Sequence, residues 1–170
     1  MRVVGVEHDR GEFAEFYAAA RDDCLRVVVI SVSDRQLAED LVAEAFTRAW
    51  MSWRKVRRLA EPRGWVVRVA LNAHVSWWRR RRREVALGSH DSVAAAGQDP
   101  VLDSSLVAAL RRLPVRQRQV IALRLLLDLD TATTAEMLGI SGGTVASHLH
   151  RGLAALRREL PSRNDQEVIR

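Results

Sequence analysis

The stretch DTATTAEMLGISGGTVASHLHRGLAALRREL, Asp130 to Leu160, constrains the fold most, because its punctuation calls for a short helix, a tight turn and a longer helix. Asp130 carries the side chain that accepts from the free N–H groups of a first helical turn, and Ala135 and Leu138 share one face of the helix it opens. Gly139 ends that helix, since glycine takes the positive φ of a helix C-terminus without steric cost. Ile140 can fold under the turn, and Ser141 is a cap for the helix that follows. In that second helix Val145, Leu149, Leu153, Leu156 and Leu160 recur every three or four residues and form one apolar stripe. The opposite side carries Thr144, Ser147, His148 and Arg151, with Ala146 and His150 on its flank, sizes and donors that suit base edges and phosphates in a major groove. This is the grammar of a helix-turn-helix. Taken alone, the stretch also fits an ordinary helical hairpin with a solvated polar face.

The preceding chain is helical in pattern too. Phe13, Phe16, Tyr17, Ala20, Cys24 and Val27 give an amphipathic helix over about 12–31. Ser33 and Gln36 have capping-box spacing at the start of a second helix reaching Trp53, with Ala38, Leu41, Val42, Ala45, Phe46, Ala49, Trp50 and Trp53 inward. Its other side holds Glu39, Asp40, Glu44, Thr47 and Arg48, an acidic patch on a chain of net charge +6. Pro62 fits the first turn of a third helix to about Arg83, with Trp65, Val66, Val69, Ala70 and Ala73 inward and WWRRRRR at its end. Cations there complement the helix dipole. Residues 84–105 then contain Glu84, Asp91, Asp99 and Asp103 but no Lys or Arg, and Gly88, Gly97 and Pro100 break any helical period, which predicts a flexible acidic linker. Beyond it come a short helix over Leu106–Leu113, another from Pro114 to about Leu127, the helix-turn-helix, and a polar tail at 162–170. The expected architecture is all-α: one helical domain over 1–83, the linker, and a second over 106–161 that contains the helix-turn-helix.

Composition narrows the function classes. The positive balance favours a polyanionic partner, and of the 27 basic residues only Lys55 is lysine. A single cysteine, Cys24, rules out an internal disulfide framework, and no Cys/His cluster has zinc spacing. No run approaches the roughly 18 apolar residues of a membrane span, and the N-terminus lacks the pattern of a secretory leader. The reading is a soluble, cytoplasmic protein with no zinc site and no membrane insertion.

Four blocks, AEDLVAEAFTRAW (38–50), PRGWVVRVALN (62–72) with WWRRRRRE after it, LPVRQRQVIALRLLLDL (113–129) and LGISGGTVASHLHRGLAALR (138–157), together resemble bacterial sigma factors of the extracytoplasmic-function (ECF) group, actinobacterial members especially. The resemblance implies core RNA polymerase and promoter DNA as partners, and an anti-sigma protein as a regulator. It implies that Glu39, Asp40, Glu44 and Arg48 dock on polymerase. It further implies that the third helix and its preceding loop open and read the downstream (−10) promoter element through Arg63, Arg68, Asn72, His74, Trp77, Trp78, Arg79, Arg80 and Arg82. The recognition helix would read the upstream (−35) element with Thr144, Ala146, Ser147, His148, His150 and Arg151. Family members commonly carry basic residues where Ala146 and His148 stand, Asp where Ser76 stands, and Glu where Thr133 stands. Two other classes stay open beside it: a stand-alone helix-turn-helix regulator, and a nuclease built on Glu39, Asp40 and Glu44, which lie on one helix without a base or nucleophile to partner them.

Overall fold

The structure is a computed structural model that describes the backbone of residues 3–85 and 104–160, and the side chains of 7–76 and 105–160. The described residues are helices and short connections without a strand. They fall into two units, Met1–Ala96 and Gly97–Arg170. Most of the linker assigned to 84–105, and the tail at 162–170, lie outside the described residues.

The first unit contains α1 (Val3–Val32), α2 (Arg35–Met51), the single turn α3 (Trp53–Val56) and α4 (Pro62–Val85). Its centre is the second half of α1, against which both α2 and α4 pack. Covered from two sides, Cys24, Leu25, Val27, Val28, Val29, Ile30 and Ser31 are all buried, where the sequence pattern suggested one apolar stripe. The buried hydroxyl of Ser31 donates to the Val27 carbonyl at 2.7 Å, and Arg26 escapes by pairing with Asp23 at 2.8 Å. The capping assignment moves by one residue. Ser33 has φ 63°, a left-handed residue that closes α1, and extended Asp34 caps α2 by accepting from the Leu37 N–H at 3.0 Å.

Helix α2 buries Ala38, Leu41, Val42, Ala45, Phe46 and Ala49 as expected, but Trp50 is 38% exposed, while Trp53 beyond the helix end is 6% exposed. The inward face of α4 is rotated relative to the expected one. Val66, Val67, Ala70 and Leu71 are buried, whereas Trp65, Val69 and Ala73 are half-buried. Packing against both α1 and α2 explains this, because a helix seated between two neighbours turns the bisector of its apolar arc inward.

The second unit contains α5 (Ser104–Arg112), α6 (Val115–Ile121), a π-helical turn (Ala122–Leu126), α7 (Thr131–Leu138) and α8 (Gly142–Glu159). The single helix expected from Pro114 to Leu127 is present without a break over 115–126, but its last five residues widen to π-helical spacing. The wide turn closes with the Leu129 N–H on the Leu123 carbonyl at 3.2 Å and with Asp128 at φ 51°. Val120, Ile121, Ala122 and Leu123 are consequently all buried, and Leu127 and Leu129 join them in the core. Val145 and Leu156 of α8 face that core, while Leu149, Leu153 and Leu160 are half-buried. Helices α6 and α8 cross at Gly152, where a Cβ would come within 2.6 Å of the Ile121 Cδ1.

Candidate functional site

The turn between α7 and α8 is fastened by a side-chain cap at the start of each helix and by paired backbone bonds at the end of α7. Asp130 accepts from the Thr133 N–H at 2.6 Å, and this bond holds its carboxyl below the usual aspartate range. At the far end of α7, Gly139 sits at φ 64°, ψ 39°. Its N–H donates to Glu136 at 3.3 Å, and the Ile140 N–H reaches back to Ala135 at 3.1 Å, the paired bonds of a Schellman closure. Ser141 then caps α8 by accepting from the Thr144 N–H at 3.1 Å, and its hydroxyl lies 2.8 Å from the Thr144 hydroxyl. Arg116 of α6 clips the turn from outside, donating to the Leu138 carbonyl at 3.5 Å and the Gln119 amide oxygen at 3.3 Å.

This fixes which side of α8 is presented. Ala146, Ser147, His150 and Arg151 are exposed. Thr144 is half-exposed with its hydroxyl engaged by Ser141. His148 departs from the rest, because it is half-buried and its Nδ1 is covered without a hydrogen-bond partner. One ring edge is thus turned into the unit, leaving Nε2 as the ring nitrogen that can meet a ligand. Past His150 and Arg151 the surface forms a shallow depression that also takes in Ala154, Arg157 and Arg158. The sequence reading missed those last two arginines, although the place of Arg158 two turns beyond Arg151, with Arg157 beside it, was visible in the spacing. The arrangement is small and hydrogen-bonding toward the helix N-terminus and cationic toward its C-terminus, which suits close approach to base edges together with phosphate contact.

In the first unit, Glu39 is paired with Arg35 at 3.0 Å and Glu44 with Arg48 at 2.5 Å, each one helical turn apart. Asp40 is exposed and has no ion pair among the described residues. It borders a depression with Tyr17, Leu25, Gln36, Val42 and Phe46. Thus one carboxylate on this face is uncommitted, beside apolar surface. On α4, Arg63 lies 3.4 Å from Asp23, and Arg68 and Asn72 are exposed. His74 is half-buried, and burial lowers its basicity, with the charge of Asp34 opposing. Trp77, Trp78, Arg79, Arg80 and Arg82 lie on the helical backbone of α4, but their side chains are outside the described residues.

Among the described residues no group of three or more His, Cys, Asp or Glu is placed to hold a metal ion. The one thiol, Cys24, is buried and pushed up to about 12, so it is no nucleophile at neutral pH. No helix among the described residues is long and apolar enough to cross a membrane.

The chain is similar to known proteins along both units. A family model described as Sigma-70 region 2 matches residues 16–84, and one described as Sigma-70, region 4 matches residues 104–156. The RNA polymerase sigma-E factor of Streptomyces avermitilis is 36% identical over 161 residues, which cover 90% of this chain and 87% of that protein. The ECF RNA polymerase sigma factor SigL of Mycobacterium tuberculosis is 36% identical over 135 residues, 75% of this chain and 76% of that one. Among solved structures, the sigma factor RpoE crystallised with the anti-sigma factor NepR from Bartonella quintana superposes with a TM-score of 0.73 at 24% identity, over 94% of this chain and 99% of that chain, a likeness of fold.

Proposed function

The chain belongs to the sigma-70 family, in its extracytoplasmic-function group, and on that premise we propose how its two units divide the work of a sigma factor. Such a factor binds core RNA polymerase and directs it to promoters. It supplies recognition and strand opening and no covalent chemistry of its own. The unit of residues 1–83 docks on polymerase through the acidic side of α2, with Asp40 as the carboxylate left for a partner cation and with Glu39, Glu44 and Arg48 around it. The same unit reads and opens the −10 element with α4 and the loop before it: Arg63, Arg68 and Asn72 on the backbone and bases, His74 at the margin, and Trp77, Trp78, Arg79, Arg80 and Arg82 farther along. Cations that follow a single strand, with planar rings on which unpaired bases stack, are what that task requires.

The unit of residues 106–161 reads the −35 element. Ala146, Ser147, His150 and Arg151 meet the major groove directly, with Thr144 and the Nε2 edge of His148 beside them. Residues 84–105 tether the two units, and the protein works where polymerase does, in the cytoplasm. An anti-sigma protein is the regulator this reading calls for, by analogy with the partner in the Bartonella complex.

The observation that carries the reading is the order of two matched regions on one chain, the second of them around a fastened helix-turn-helix. The experiment is reconstituted transcription: core polymerase, the purified chain, and a library of duplexes randomised over the −35 and −10 positions. Transcripts that need the chain and share sequence at both positions support the proposal. Tight binding of the chain to duplex DNA with no polymerase-dependent transcript would move it to the stand-alone regulators.

A further inference from the structure

The first turns of α1 precede the matched region, which begins at residue 16, yet they hold part of the domain in place. Asp9, with a side chain 15% exposed, lies 3.0 Å from the Arg54 Nε and 3.4 Å from the Arg57 Nη1. Glu12 accepts from the same Arg57 nitrogen at 2.5 Å and lies 3.0 Å from the His8 Nε2. The Phe13 ring sits 5.2 Å from each of the Trp50 and Trp53 rings. The Asp9–Arg54 and Glu12–Arg57 pairs each cross 45 residues of sequence and, with the Phe13–Trp53 contact, end on the segment between α2 and α4, while Phe13–Trp50 reaches the last turn of α2.

That segment has little of its own to hold it. Helix α3 is a single turn, too short to persist without tertiary support. Its hydrogen bonds are local: Val56 to Ser52 at 3.1 Å, Arg57 to Trp53 at 2.9 Å, Arg58 to Lys55 at 3.2 Å and Leu59 to Val56 at 3.1 Å. The buried indole nitrogen of Trp53 has no hydrogen-bond partner, so its ring is positioned by packing alone.

We propose that Asp9, Glu12 and Phe13 form a brace that sets the loop over 57–61 and the entry into α4, and that Arg57 is a positioning residue for strand opening rather than a cation for DNA. The proposal rests on the reading of α4 and its preceding loop as the strand-opening part. Arg57 lies within a basic run, RKVRR, that invites assignment to phosphate. Its guanidinium is instead shared between two carboxylates, one of which also holds Arg54. The charge of that run available to a nucleic acid is accordingly smaller than its sequence suggests.

Two readouts on three variants test this: Glu12→Arg, Arg57→Glu, and the two together, which restores the pair with its charges exchanged. The first readout is hydrogen exchange of the 55–59 amides in the full-length chain. The second is open-complex formation by the reconstituted holoenzyme on a promoter duplex selected from a random library with the unaltered protein. Each single variant should raise exchange about five-fold and slow opening by a similar factor, the scale of a pair of ion pairs at a partly exposed site. Affinity for core polymerase should stay unchanged, and the double variant should recover part of both readouts, short of the whole because Asp9 still stands against position 57. Unchanged exchange in the single variants, or no recovery in the double, overturns the brace. Recovered exchange with opening still slow overturns the positioning role and returns Arg57 to DNA. An unaltered protein that opens no duplex refutes the strand-opening reading itself, while the exchange data still decide whether the brace exists.

Discussion

Replacing Gly139 with alanine isolates what the turn of the helix-turn-helix contributes. The residue sits at φ 64°, ψ 39°, and a Cβ built there meets nothing within 4 Å. The substitution therefore causes no clash and leaves both closing hydrogen bonds available, so its whole effect is the cost of holding an L-residue in the left-handed region. That cost is about 1–2 kcal/mol. With a urea slope of about 1 kcal/mol per M for a unit of this size, the midpoint of the second unit should fall by roughly 1–2 M. The two units can be followed separately, because the five tryptophans, Trp50, Trp53, Trp65, Trp77 and Trp78, all belong to the first. Far-UV circular dichroism should show the shifted transition while tryptophan fluorescence stays where it was. Asparagine, which tolerates this conformation better, should cost less than alanine. An unchanged dichroism transition, or equal costs for alanine and asparagine, would refute the argument that backbone conformation alone dictates glycine here.

Other consequences are as direct. Arg151 is exposed and has no ion pair among the described residues. Arg151→Ala should weaken promoter binding and lower the slope of log affinity against log salt by roughly 0.9, the value of one phosphate contact. For His74, burial disfavours the charged ring, so the folded pKa lies below the ordinary 6.5. Its contribution to stability is complete above that value and is lost as pH falls through the lower folded one. The fluorescence-detected urea midpoint should therefore drop on acidification below about pH 6.5, and His74→Gln should flatten that dependence. Asp40→Ala should reduce affinity for core polymerase at least about ten-fold while circular dichroism stays unchanged, since it removes a carboxylate with no ion pair among the described residues.

Local chemistry was legible in the sequence wherever one side chain governs one backbone feature. Asp130, Gly139 and Ser141 announce a cap, a stop and a second cap, and each does that work in the structure. Features that depend on a neighbour were not legible. Helical period gives the direction of an apolar arc, but only the presence of two partners tells how wide it is; hence the all-round burial of residues 27–31, and the buried Val67 and Leu71 where Val69 and Ala73 were expected. The π-turn at Ala122–Leu126 leaves no mark in LRLLLDL, because leucines fill a wide turn as readily as a regular one. Ser33 was a sound cap by spacing, and Asp34 beside it took the role once Ser33 closed α1. His148 looked like a member of the reading face, yet one of its nitrogens is turned inward. The ion pairs of Asp9 and Glu12 with Arg54 and Arg57 join positions far apart in sequence that no periodicity connects.

A polymerase subunit whose specificity lies in two helical units must hold core polymerase against other sigma factors, and the chain's place in that role is open to direct test. Competition for core polymerase tests it most directly: purified chain and core enzyme run on a sizing column with rising amounts of a housekeeping sigma factor. One chain should co-migrate with each core enzyme and be displaced by the competitor, and Asp40→Ala should be displaced at lower competitor concentration. A folded, helical chain that elutes apart from core polymerase at every concentration would contradict that role.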